Sequence, residues 1–306
     1  MAELGVAMDG RAPIADISAQ AQAAEAGGAT TLWIACHLFL RDPVTTAALA
    51  LAATKKIKVA LMALSPYSTH PVYIAMAAAS LDEMYPGRVI LCLGSGAPAD
   101  LKAAGIDSPK PLVAIGEAVK ICRQLFAGEM ADFRGQMFAV EGRRLVNGGR
   151  TIPIVVAASR PNMLRLAGRE TDGVLISAAT SPPFVKTCLD QVGAGSGSGH
   201  KSCIVYTRLG PIDTVRRPIG FVLRGAHHAE NIRLGGASLD QQALAAAYAA
   251  ENWSEVDRLV SDDVVRRHAA CGTAHGCATS STSIAPSAST KSCWAGSTMQ
   301  PRLPPS

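Results

Sequence analysis

Residues 87–96 read Gly-Arg-Val-Ile-Leu-Cys-Leu-Gly-Ser-Gly, so a short apolar run leads directly into a glycine turn. An unbroken apolar run of this length is typical of a strand that is buried on both faces, as in a parallel sheet. Small residues after such a strand let backbone N–H groups approach a ligand without a Cβ in the way. Gly94, Ser95 and Gly96 are therefore candidate ligand-binding residues, although a simple bend at a strand end would also use glycine.

Similar apolar runs alternate with segments of helical periodicity along the chain. Further strands are predicted at residues 4–7, 31–34, 57–63, 152–157, 173–176 and 203–207. Asp42 is predicted to cap a helix at residues 43–54, and His70 to order the turn before a helix at residues 71–85. This alternation indicates β–α–β units and leaves two architectures, an open doubly wound sheet and a closed (β/α)8 barrel.

The composition favours one large α/β domain. Of 306 residues, 48% are apolar and 17% are charged, so the chain can bury a large core. The formal net charge is +5, but Lys and Arg are scattered, which argues against a nucleic-acid partner. Charged residues interrupt the first ten residues and the apolar stretch at residues 47–64, which argues against a signal peptide and a membrane span. We therefore expect a cytoplasmic protein with reduced cysteines.

The last part of the chain differs from the rest. Residues 271–306 are rich in Ser, Thr, Ala, Cys and Pro, and they show neither apolar periodicity nor a strand-like run. The sequence thus predicts a barrel domain at residues 1–270 and a low-complexity tail at residues 271–306 that is disordered or aberrant. The cysteines and the histidine of this tail lack the paired spacing of a zinc site, so no metal is predicted. Residues 193–199, rich in Gly and Ser, form a second irregular patch.

One histidine is a candidate catalytic residue. His37 follows the second predicted strand, at the end of a parallel sheet where catalytic side chains are found, although a lone histidine is more often structural. Nothing near Cys36 in the sequence would lower the pKa of its thiol, so we expect a packed thiol there.

A second candidate site follows the predicted strand at residues 152–157. Ala158, Ser159 and Arg160 stand between this strand and a helix, where unpaired helix N–H groups, a hydroxyl and a guanidinium can converge on a phosphate. An ordinary capped helix with a solvated arginine would have the same sequence.

Three segments together resemble the luciferase-like monooxygenase family, above all its branch that uses the deazaflavin coenzyme F420. They are residues 65–81, residues 87–96, and residues 152–174, which contain Ile152-Pro153-Ile154 and Thr171-Asp172-Gly173-Val174. The resemblance covers about residues 5–189. It implies a (β/α)8 TIM barrel that binds its cofactor and a small-molecule substrate at the carboxyl ends of the strands, and it implies a homodimer.

The resemblance also implies roles for particular residues. His37 would be catalytic, and the cofactor ring would lie beside His37, Cys36, Ala63 and Leu64. The family often has a bulge or a non-proline cis peptide at the end of the third strand, which here implies residues 62–64. Gly94, Ser95 and Gly96 would face the ligand, and the set of Ala158, Ser159 and Arg160 would hold the cofactor phosphate.

Two departures from the family pattern affect the expected function. Relatives that oxidise alcohols carry Asp before the histidine and Glu after the glycine turn, where this chain has Cys36 and Ala97. The missing carboxylates favour an F420-dependent reductase of an imine-like or activated alkene group, similar to methylenetetrahydromethanopterin reductases. An FMN-dependent monooxygenase is the alternative. Relatives also end in a helix and an eighth strand that have no counterpart in the pattern after Thr273, so an incomplete barrel and an inactive pseudoenzyme are expected as a further alternative.

Overall fold

Parallel strands and helices alternate along most of the chain. The computed structural model describes residues 3–194, 199–273, 275, 277 and 290–296. The strands of these residues are β1 (Leu4–Met8), β2 (Thr31–Ala35), β3 (Lys58–Leu64), β4 (Val89–Leu93), β5 (Ala131–Arg134), β6 (Ala139–Arg143), β7 (Ile154–Ala158), β8 (Gly173–Ile176), β9 (His200–Leu209), β10 (Ala269–Gly272) and β11 (Thr290–Gly296).

The helices lie mostly between consecutive strands, as the alternating pattern predicted. The α-helices of the described residues are α1 (Ile17–Ala26), α2 (Pro43–Ala53), α3 (Pro71–Met84), α4 (Pro98–Ala103), α5 (Pro111–Ala127), α6 (Pro161–Glu170), α7 (Pro182–Gly193), α8 (Asp213–Leu223), α9 (Ala229–Gly235), α10 (Gln241–Ala249), α11 (Trp253–Leu259) and α12 (Asp262–His268). Among the residues described, no helix is both long enough and apolar enough to cross a membrane.

Eight parallel strands form a closed ring. The order around the ring is β1, β2, β3, β4, β7, β8, β9 and β11, and β11 pairs with β1 to close it. This is the predicted (β/α)8 TIM barrel, and the open doubly wound sheet is excluded because it would leave two free edges. The strands β5 and β6 form a separate antiparallel hairpin.

The C-terminal part of the ring corrects one expectation. No strand was predicted after residue 271, yet β11 lies between β9 and β1 and pairs with both. The physical reason is that the facing edges of β1 and β9 each offer a row of backbone N–H and C=O groups, which an extended segment can pair without apolar side chains. The other tail residues, and residues 195–198 of the Gly/Ser patch, lie outside the described residues.

The core has three parts. Small and apolar side chains fill the inside of the ring, and a larger core packs between the ring and the outer helices. A third cluster joins helices α8 to α12, inserted after β9, to the end of β9 and to Ala179 after β8. These helices form a cap over one side of the carboxyl end of the barrel. The residues inside the ring include Trp33, Ala60, Ile90, Cys92, Val155 and Leu175.

Two predicted helix starts are confirmed. The Asp42 carboxylate accepts a hydrogen bond from the Thr45 backbone N–H at 2.7 Å, and it caps α2. The Nδ1 atom of His70 accepts a hydrogen bond from the Val72 N–H at 3.2 Å, and it caps α3. Both helices begin with proline, whose missing N–H costs nothing in the first turn. These caps fix where the loops after β2 and β3 end, next to the mouth of the barrel.

Candidate functional site

A small cleft lies where β2, β3 and β4 end. It brings together Cys36 and His37, which follow β2, with Ala63 in β3 and Gly96 after β4, and the sequence placed these residues in one site. Leu64 and Gly94 lie directly beside it, since the Gly94 N–H donates to the Leu64 carbonyl at 3.0 Å. The full lining is Cys36, His37, Leu38, Ala63, Ser65, Ser68, Gly96, Ala97, Asp100 and Leu101.

The end of β3 is irregular, as the family resemblance implied. The peptide bond between Met62 and Ala63 is cis, and the pairing of β3 with β4 shifts register between Leu61 and Leu64. A Cβ at position 94 would lie 2.8 Å from the Ala63 Cβ, closer than real Cβ atoms approach each other. Glycine is therefore required at position 94 for β3 and β4 to meet in this way.

The glycine turn after β4 is held in place by its neighbours. Gly96 has a φ of +80°, which favours glycine, and a Cβ there would lie 3.1 Å from Leu101 Cδ1 and 3.2 Å from Ser65 Oγ. The Ser65 hydroxyl donates to the Ser95 carbonyl at 3.3 Å and accepts from the Tyr67 N–H. The turn thus presents its backbone to the cleft with little freedom to move.

His37 stands on the rim of the cleft with an exposed ring. The surrounding protein displaces part of its water and lowers the pKa of the imidazole. Asp100 and Asp9 oppose this effect, whereas Arg11 adds to it. The imidazole is therefore neutral at neutral pH and can accept a proton.

Two carboxylates near His37 were missed by the sequence analysis. Asp9 follows β1, and Asp100 lies in the first turn of α4. Both act electrostatically on His37, although neither occupies the positions where alcohol-oxidising relatives carry acids. The alternation of strands could have pointed to Asp9, because it follows a strand end, but nothing in the sequence indicated α4.

Cys36 has the character of a packed thiol. It is half-buried, its backbone N–H donates to the Met62 carbonyl, and burial together with Asp42 raises the pKa of its thiol. A raised pKa keeps the sulfur protonated and a poor nucleophile at neutral pH. This agrees with the expectation from sequence.

The second candidate site lies at the end of β7. Since Leu93 of β4 pairs with Val156 of β7, the glycine turn and Ser159 lie on neighbouring strands at the same end of the barrel. Arg160 is exposed and precedes α6, and within the described residues no side chain caps the N–H groups of that helix. Free helix N–H groups next to a hydroxyl and a guanidinium fit a phosphate.

His227, on the cap, adds to this second site. Burial lowers the pKa of its imidazole, and the positive charge of Arg160 lowers it further, so the two side chains lie within electrostatic range of each other. The residue before α6 therefore lies near the segment that leads into α9. No sequence pattern predicted this neighbour, because the cap lies far from α6 along the chain.

Other parts of the described chain offer weaker candidates. A wide open cleft of about 1180 Å³ lies at the amino ends of β7, β8 and β9. Its arginines are already paired, as shown by the 3.2 Å contact between Arg123 and Asp172. No cluster of metal-binding side chains occurs in the part of the chain that the structure describes.

Comparison with known sequences gives one family. The profile of the luciferase-like monooxygenase family matches residues 1–281. A 5,10-methylenetetrahydromethanopterin reductase of Methanolobus tindarius is 33% identical over 184 residues, or 60% of this chain and 56% of that protein. The corresponding reductase of Archaeoglobus fulgidus is 27% identical over 266 residues, or 82% of this chain and 80% of the relative. The first alignment thus spans just over half of the relative's length.

Solved structures share the fold at low identity. The coenzyme F420-dependent tetrahydromethanopterin reductase of Methanopyrus kandleri superimposes with a TM-score of 0.87, at 20% identity over 98% of this chain and 94% of that chain. An F420-dependent secondary alcohol dehydrogenase superimposes with a TM-score of 0.77, at 18% identity over 96% of this chain and 93% of that chain. A third structure is the FMN-bound oxygenating constituent of 3,6-diketocamphane monooxygenase of Pseudomonas putida. It superimposes with a TM-score of 0.69, at 18% identity over 97% of this chain and 92% of that chain. On the profile match and this shared barrel, the chain belongs to the luciferase-like monooxygenase family.

Proposed function

We propose that this chain is an F420-dependent reductase that delivers a hydride to an imine-like or activated alkene group. The proposal rests on two candidate sites that lie on neighbouring strands at the carboxyl end of the barrel. The cleft of β2, β3 and β4 would take a flat ring, and the start of α6 on the neighbouring strand β7 would take a phosphate. The two methylenetetrahydromethanopterin reductases among the relatives support the same assignment.

The residues of the cleft suit a planar cofactor. Ala63, Gly94 and Gly96 carry little or no side chain, so the ends of β3 and β4 would form a cradle with backbone at its surface. Such a cradle lets a flat ring lie directly against backbone, while the Ser159 hydroxyl and Arg160 hold the anionic end. When bound, the reduced deazaflavin would supply the hydride.

The chain itself would supply alignment and a proton. Backbone and small side chains would fix the ring, and the apolar inside of the barrel would limit access of water to the face that reacts. Reduction of an alkene needs a proton as well as a hydride. His37, within range of Asp9 and Asp100, would take up a proton from solvent and pass it to the substrate.

FMN is the second candidate cofactor. It carries a flat tricyclic ring and a phosphate, so the same cleft and helix start would accept it. The structural similarity to an FMN-bound monooxygenase supports this alternative. The closed ring of strands among the described residues speaks against the inactive pseudoenzyme, which was expected from an unclosed barrel.

The test is a cofactor titration. We expect the fluorescence of F420 to be quenched by the purified chain, and Arg160→Ala to weaken that binding about tenfold, the effect of losing a charge-assisted hydrogen bond. Arg169→Ala, at the other end of α6, is the matched control and should bind as the wild type does. Equal affinity of both variants would remove the phosphate assignment. A yellow protein that carries FMN and ignores F420 would favour the monooxygenase.

We further propose that the chain forms a homodimer through α2 and α3. Helix α2 contains no charged residue, and α3 exposes Tyr73, Met76 and Met84. In a twofold dimer the same patch meets itself, so an uncharged face avoids repulsion between like charges. Met76→Glu should convert a dimer into a monomer in light scattering, whereas Met130→Glu, also exposed, should not. A monomeric wild type would refute this interface.

A further inference from the structure

One aromatic side chain at the mouth of the barrel is left in solvent. Phe39 is 72% exposed, and it lies two residues after His37 in the loop between β2 and α2. Its neighbours in the loop are half-buried: Leu38 lines the cleft, and Leu40 lies against the Gly10 backbone. An exposed phenylalanine ring lacks the favourable free energy that burial would provide, so its exposure needs an explanation.

The backbone of Phe39 is also unusual. Its φ is +65°, in the left-handed region where the Cβ of a bulky residue crowds the backbone. The Leu40 N–H donates to the His37 carbonyl at 3.3 Å, so Phe39 occupies a turn position that normally takes glycine or asparagine. Outliers of this kind concentrate at binding sites.

The loop that carries Phe39 is firmly anchored. The Arg41 guanidinium donates to the Arg11 carbonyl at 2.8 Å and to the Gly10 carbonyl at 3.3 Å, and both carbonyls belong to the loop after β1. On the other side, Asp42 caps α2. The loop is therefore fixed at both ends, and the exposure of the ring does not come from a lack of contacts around it.

We propose that Phe39 is a stacking platform that selects hydride acceptors whose reducible bond belongs to a planar ring system. The inference rests on the proposed function, because it places the acceptor beside His37. An aromatic face recognises another flat ring by offset stacking, and binding removes both apolar faces from water. In turnover, a planar quinone would take the hydride from the cofactor and one proton, and become a hydroquinone while the cofactor is oxidised.

The test measures binding of menadione, a planar bicyclic quinone, to the cofactor-loaded chain by equilibrium dialysis. One aromatic pair contributes about 0.5–1.5 kcal/mol, so Phe39→Ala should raise the Kd for menadione about two- to twelvefold. Phe39→Trp should restore the affinity. Phe221→Ala, which removes another exposed ring on the cap (51% exposed), should change nothing. Cyclohexenone, which is not a flat aromatic system, should bind the wild type and Phe39→Ala alike.

Three results would overturn the proposal: a wild type without affinity for menadione, an equal Kd for the wild type and Phe39→Ala, or a Phe39→Ala variant that changes only the molecular mass in solution. The last result would assign Phe39 to a contact between two copies. An F420 titration of the same samples separates the two hypotheses. Absence of F420 binding refutes the proposed function, whereas menadione binding to the cofactor-free chain still reports on Phe39.

Discussion

Gly94→Ala tests how tightly strands β3 and β4 pack beside the cleft. The new Cβ would lie 2.8 Å from Ala63 Cβ and 3.5 Å from Ala157 Cβ. Carbon atoms in contact prefer about 3.5–4.0 Å, so Ala63 must move by roughly 1 Å. Neither methyl group can rotate away, because each is bonded directly to the backbone. Overpacking of this kind costs about 1–3 kcal/mol, and we expect that loss in the free energy of unfolding.

The same displacement should reach the cofactor. If β3 moves toward the cleft, Ala63 enters the space that the ring would occupy, and a loss of about 1.4 kcal/mol corresponds to tenfold weaker binding. Guanidinium unfolding and F420 titration measure the two effects. Gly193→Ala is the control, since a Cβ there meets nothing within 4 Å. If Gly94→Ala unfolds and binds like the wild type, strands β3 and β4 do not pack closely at Gly94 and Ala63.

Two further variants test the cap and the hairpin. Burial, with smaller contributions from His227 and His268, lowers the pKa of His228 to about 3. As the pH falls, this histidine is therefore protonated in the unfolded chain, where its pKa is about 6.5, before it is protonated in the folded chain. The stability that neutral His228 contributes is present above about pH 6.5 and is lost as the pH falls. At about 1.4 kcal/mol per pH unit, His228 alone should cost about 2 kcal/mol of stability between pH 7 and pH 5 in urea unfolding. His228→Gln should remove that contribution, while His37, His227 and His268, whose pKa values are also lowered, still contribute to the pH dependence. The Glu117 carboxylate accepts hydrogen bonds from the backbone N–H groups of Gln136, Met137 and Phe138 at 2.6, 2.9 and 3.0 Å. In the same assay, Glu117→Ala should lower the free energy of unfolding by about 2–4 kcal/mol. Glu141→Ala, which removes an exposed ion pair, is the control and should lower it by less than about 1 kcal/mol. Equal losses for the two glutamates would contradict the role given to Glu117.

The strands that form most of the barrel were predictable because their signals are local. The apolar run within residues 87–96 became β4, and the strand predicted at residues 173–176 became β8. The glycine turn and the start of α6 were also found from sequence, since small residues after a buried strand have few other uses. Their common location follows from the pairing of neighbouring parallel strands.

Features that depend on distant parts of the chain were not predictable. The influence of Asp9 and Asp100 on His37 requires three separate strand ends to meet at one mouth. Likewise, the electrostatic effect of Arg160 on His227 depends on two segments that lie far apart along the chain. Strand β11 was missed for a different reason, because its place is set by unpaired backbone of β1 and β9 and its own side chains carry no strand pattern.

The position of β11 has a consequence for how the molecule is made. The register pairs Val6 with Trp294, so the first strand of the barrel gains its second partner only after residues 290–296 have been synthesised. At ribosomal rates of about 5–20 residues per second, the edge of β1 waits on the order of 15–60 s. During that time the nascent polypeptide has two unpaired sheet edges, which can pair with other chains. It avoids aggregation only if these edges are covered until β11 has been synthesised.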